Sequence, residues 1–216
     1  MNTIKQRRIN GYAPESKELS DANEMAGIAG SKAGSYPSRK EALDNISDVE
    51  VLNKLAVEAP DAWIKLEAAI KTGNLDVLSD LSRNAEDERV RLEATLEIND
   101  QENLTDLIIE SKDFVLRSIA LNHIVKKNLL YLIVKNCANE GICVEAAIRL
   151  NDKKILKELT EAVKNEWLKF KLAVISDDFK VMEKLAQTSS NVLVKKRAEK
   201  RLLNYVNTDK YTDTDL

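Results

Sequence analysis

The chain has 216 residues, with 33 Lys and Arg against 36 Asp and Glu, a formal net charge of −3, one His and two Cys. That length suits one ordinary domain or a short repeat array, the near balance of charge argues against a dedicated nucleic-acid binder, and so few thiols and imidazoles argue against a zinc site or a disulfide scaffold. Only six Gly, three Pro and 5% aromatic residues favour helices over a turn-rich sheet.

In chain order, residues 1–34 are polar, contain Gly11, Gly27, Gly30 and Gly34, and read as a flexible arm in which Leu19 to Ile28 has weak helical character. The basic start lacks the apolar stretch of a secretory signal, and the best apolar run, 128–136, is far too short to cross a bilayer. The expectation is a cytoplasmic protein with reduced thiols and no membrane segment.

From Ser35 the sequence repeats every 26 residues, the period range of solenoids. One ladder runs Ala42, Ala68, Ala94, Ala120, Ala146, Leu172, Ala198; another Leu52, Leu78, Leu104, Leu130, Leu156, Met182; a third Leu55, Leu81, Leu107, Ile133, Leu159, Leu185. A fourth, Ser38, Ile64, Val90, Leu116, Ile142, Leu168, Val194, is apolar after its first member. Polar ladders set the boundaries. Asp61, Asp87, Asp113, Asn139, Asn165 and Asn191 have side-chain oxygens suited to cap a helix A, and Asp48, Asn74, Asp100, Asp152 and Asp178 a helix B, with Lys126 the exception. In the second copy this predicts helix A over about 62–72 and helix B over about 75–84, each with apolar residues at helical spacing. Helices of about ten residues do not persist alone, so stability comes from stacking on neighbouring copies. Ser35 and Pro37 supply a cap and a first-turn proline at the start. Six A/B pairs end near Ser190, a terminal helix covers about 192–206, and 207–216 reads as an acidic disordered tail.

The copies ERVRLEATLEINDQENLTDLIIESKD and GICVEAAIRLNDKKILKELTEAVKN resemble short HEAT-like repeats, in style close to leucine-rich variant repeats, over roughly residues 38–206. The usual HEAT length is about 40–47 residues. The resemblance implies an all-α, right-handed α-solenoid (an α–α superhelix of armadillo-like form) of six two-helix repeats plus a terminal helix, spanning 35–206, that serves as a non-enzymatic scaffold for a protein partner on its helix B face. It also admits nucleic-acid binding, because HEAT-like DNA glycosylases use basic concave surfaces, and more distantly lyase or glycosylase chemistry.

Charge is sorted along the array. Residues 38–113 carry 9 Lys and Arg against 19 Asp and Glu, and residues 114–206 carry 18 against 10. A chain polarised in this way can steer an oppositely patterned partner or stack head to tail with a second copy; the plain alternative is a set of solvated helix faces. On helix B the exposed positions run from Asp80 and Asp106, through Asn128, Tyr131 and Leu132, to Lys157 and Lys184, and these seven are the candidate partner-binding residues. Tyr131 and Leu132 place apolar side chains where other copies are polar, and aromatic anchors dominate interface energetics. Lys195, Lys196, Arg197, Lys200 and Arg201 make the terminal helix basic, but without interleaved aromatic residues for base stacking. Trp63 and Trp167 read as packing against the preceding inter-repeat loop, Cys137 as a small core residue on the ladder of Ala59 and Ala85, and His123 as a helix residue without a catalytic partner. No phosphate loop, metal motif or nucleophile elbow is present, so the reading assigns no catalytic residue, cofactor or metal.

Overall fold

A computed structural model describes the backbone of residues 15–212 and the side chains of residues 20–205. Among the described residues there are fourteen α-helices and no strand. They are α1 (Glu15–Ala29), α2 (Tyr36–Asp44), α3 (Val49–Glu58), α4 (Ala62–Thr72), α5 (Leu75–Asn84), α6 (Glu88–Glu97), α7 (Gln101–Glu110), α8 (Phe114–His123), α9 (Lys127–Asn136), α10 (Glu140–Leu150), α11 (Lys153–Ala162), α12 (Glu166–Ile175), α13 (Phe179–Thr188) and α14 (Val192–Thr212). From α2 onward these are six A/B pairs and a terminal helix, with α4 and α5 at the predicted bounds. The protein is an all-α helical-repeat fold.

The chain divides into two compact units, Met1–Asn99 and Asp100–Leu216. In each, helices stack on their sequence neighbours, and A helices also touch the A helices of adjacent pairs, as α2 touches α4 and α10 touches α12. The alanine ladder is the reason they fit: every member from Ala42 to Ala198, Leu172 included, is buried, and a methyl at every crossing but that of Leu172 lets helix axes approach closely. The ladder from Leu52 to Met182 is buried throughout as well.

The caps follow the polar ladders. Asp61 Oδ1 accepts from the Trp63 and Ile64 backbone N–H groups at 2.9 and 3.2 Å, and Asp152 Oδ1 from Lys154 and Ile155 at 2.9 and 3.1 Å. Within most pairs the A-to-B turn passes through the left-handed region, at Gly73 (φ 64°), Asn99 (53°), Asn151 (55°) and Asp177 (51°), residue types that tolerate it. The fourth pair has β-branched Val125 at that register, and no left-handed residue occurs there.

Two segments differ from expectation. Inside the stretch read as an arm, residues 15–29 form α1, which packs on α2 and α3. Ala22, Met25, Ala26 and the fully buried Ala29 join the core at i, i+3, i+4 and i+7. Residues 1–14 lie outside the described residues. At the other end α14 continues to Thr212, past the expected limit of 206; its later side chains, and residues 213–216, lie outside the described set.

Candidate functional site

The site is built on the B helices of the C-terminal unit, and the irregular fourth pair shows how that unit positions them. Lys126 makes no side-chain cap for α9. The buried Gln101, from the first turn of α7, accepts with its Oε1 from the backbone N–H groups of Val125 and Lys126 at 3.1 and 3.2 Å. From the other side Arg149 of α10 donates to the Leu121 and Ile124 carbonyls at the end of α8. Lys71 makes the corresponding bond to Leu43 O, at 3.0 Å, in the N-terminal unit. The turn that lost its local cap is therefore held by its two neighbours, which leaves Tyr131 and Leu132 on α9 outward, 46% and 41% exposed. The Lys135 ammonium lies 5.5 Å above the Tyr131 ring.

Two pairs further on, α11 and α13 bound a groove of about 840 Å3. Lys153 and Lys157 follow α11 at i, i+4; Lys180 and Lys184 do the same on α13; Lys164 and Lys169 contribute from the intervening turn and α12. Thr160, wholly buried with its hydroxyl donated back to Leu156 O at 2.7 Å, lies among the lining residues together with Phe179 and Leu185. Four carboxylates also line the groove, but two are committed. Glu166 accepts from the Ser189 hydroxyl and from the Ser190 and Asn191 backbone N–H groups, and Asp178 Oδ1 caps α13 through Val181 N at 3.1 Å. Glu161 and Asp177 remain. Among the described residues, none of the six lysines forms an ion pair.

Two of these lysines, Lys153 and Lys180, also oppose a local preference. Lys153 opens α11 beside Lys154, which does not line the groove, and Lys180 stands in the first turn of α13, where the helix dipole favours acids; the register of Lys154 and Lys180 holds Glu50, Asp76 and Glu102 in α3, α5 and α7. A rule broken without an internal gain marks a position shaped by something outside the fold.

Neither protein-family models nor curated proteins contain a match to this sequence.

Of the seven expected binding residues, only Lys157 and Lys184 meet in this groove. Asn128, Tyr131 and Leu132 form a separate exposed patch on α9. Asp106 is exposed on α7, with its carboxyl raised above the ordinary range by desolvation and by repulsion from Glu110 and Asp100. Asp80, in the N-terminal unit, is exposed on α5 and accepts from Asn84 Nδ2 at 2.8 Å. The contributions of Lys164 and Lys169 were missed because they fall off helix B. Trp63 packs edge-on against Tyr36 of the preceding pair, ring centroids 6.4 Å apart, and both tryptophans also reach forward along the chain. Trp63 Nε1 donates to Asp87 Oδ2 at 3.2 Å, and the Arg197 guanidinium stands 4.8 Å from the Trp167 ring centre.

Cys137 and Cys143 are both buried free thiols, and Cys143 Sγ donates to Cys137 O at 2.7 Å. The neighbouring Cys137 thiol, followed by burial, holds Cys143 above the ordinary thiol range, so it stays a donor. At the same register Arg91 donates to Ala85 O at 2.9 Å and Arg117 to Ser111 O. Cys143 thus does with a thiol what arginine does in the preceding pairs: it ties the first turns of helix A to the end of the previous helix B.

Proposed function

We propose that this chain is a non-enzymatic protein-binding scaffold, a HEAT-like solenoid that engages a partner along its B helices, with the α11–α13 groove as the principal contact. The observation that carries this reading is the two i, i+4 lysine rows of the groove, Lys153 with Lys157 and Lys180 with Lys184, none of which is in an ion pair among the described residues, with Lys153 and Lys180 standing in first helical turns against the local helix-dipole preference. Such rows fit a polypeptide segment bearing carboxylates at helical or strand spacing, and charge complementarity gives specificity and association rate more than raw affinity. The resemblance of the repeats to HEAT-like arrays, which work mainly as scaffolds, supports the same reading.

The test is recovery of partners from native cells with the full chain and with Lys157→Glu/Lys184→Glu, each with and without nuclease. The scaffold reading expects a defined protein that survives nuclease and is lost with the charge-reversed variant. Recovery of that protein unchanged by the variant removes the groove. Retention that vanishes with nuclease, or on neutralising Lys195 to Arg201, would move the function to the nucleic-acid alternative.

A further inference from the structure

Resting on that reading of the groove, we infer that its occupant is a second copy of this chain, whose acidic helices α3 and α5 dock against α11 and α13. The basis is one rung of the repeat, in the first turn of each helix B: Glu50, Asp76, Glu102, Asn128, Lys154, Lys180. It is acidic three times, uncharged once, then basic twice, so the N-terminal unit of one copy presents the complement of what the C-terminal unit of another presents. Both pairs of rungs, Glu50 with Asp76 and Lys154 with Lys180, are one repeat apart, so the charges recur over the same 26-residue interval on the two surfaces. All four side chains are exposed, and among the described residues none is in an ion pair; Lys180 lines the groove, and Lys154 follows its lining residue Lys153 at the rim. Acids at this register gain from the helix dipole and need no further explanation. The lysines do, and an acidic surface of the same repeat supplies one.

The contact is electrostatic and partly exposed, so it is weak and salt-sensitive: with a Debye length of about 10 Å at 0.1 M salt, raising ionic strength to about 0.5 M loosens it roughly tenfold or more. Sedimentation velocity on the full chain at about 0.05 M salt tests it. Wild type associates with rising concentration, and Glu50→Lys/Asp76→Lys and Lys154→Glu/Lys180→Glu each sediment as monomers. An equimolar mixture of the two variants associates again, because each then meets a surface of opposite sign. Lysine at this register is already tolerated in α11 and α13, and circular dichroism verifies that both variants are folded. The neutral variant Lys154→Gln/Lys180→Gln also loses association. A wild type that stays monomeric over the whole range overturns the proposal, as does a mixture of folded variants that stays apart. Where either occurs while Lys157→Glu/Lys184→Glu still abolishes recovery of a protein from cells, the groove stands and only the identity of its occupant falls.

Discussion

Gln101 shows how far one side chain carries the fourth pair. Its carboxamide oxygen is the acceptor for the Val125 and Lys126 backbone N–H groups, which lead into a helix whose N-cap, Lys126, supplies no side-chain acceptor. Gln101→Leu keeps the volume and removes the acceptor of two part-buried bonds, which costs about 0.5–1.5 kcal/mol, read from the urea midpoint. Conversely Lys126→Asn supplies a cap and sacrifices only an exposed ion pair with Glu102, so it stabilises by about 0.5–1 kcal/mol. Two carboxylates act similarly between pairs. Glu140 is held below the ordinary carboxylate range first by the Lys164 backbone N–H and then by that of Asn165, and Glu166 first by the Ser189 hydroxyl and then by the Asn191 and Ser190 backbone N–H groups. Because their folded values are depressed, the stability they contribute is present above the unfolded carboxylate value of about 4.3 and is lost as pH falls through the folded values. Glu140→Gln/Glu166→Gln therefore flattens the dependence of the unfolding midpoint on pH in the acid range; an unchanged slope would contradict this.

At the scale of the element, the alanine ladder sets how closely helices cross. Ala120 and Ala146 are wholly buried, so Ala120→Leu overpacks the α8 crossing and costs about 1–3 kcal/mol in a denaturant melt. Leu172 occupies the same register in the sixth pair, and Leu172→Ala leaves a cavity worth about 2–5 kcal/mol. Fold and caps were legible because the 26-residue period repeats the same physical demand six times. α1 was legible only as weak helical character over Leu19 to Ile28, because its stripe is Ala22, Met25, Ala26 and Ala29, too weakly apolar to stand out among glycines. The signal was nevertheless present: Met25, Ala26 and Ala29 lie one period before Val51, Leu52 and Leu55, so these residues of α1 take the register of a helix B. Lys157 and Lys184 could be singled out from their place on helix B, whereas the groove they share depends on the opening between α11 and α13, a three-dimensional fact that no ladder encodes.

At the scale of the whole chain, the formal charge of −3 conceals an excess of ten acids over residues 38–113 and of eight bases over 114–206. Near neutrality therefore says little about recognition, which depends on local sign. Among the described residues no helix is long and apolar enough to cross a membrane, and the functional weight falls on exposed faces of short helices. The central claim is that the B helices α11 and α13 are where a partner protein sits. Zero-length carbodiimide cross-linking of the chain in its native extract, followed by mass spectrometry of the linked peptides, tests this most directly. The account predicts links from Lys153, Lys157, Lys180 and Lys184 to carboxylates of one partner protein; links confined to A helices or to Lys195–Arg201 would contradict it.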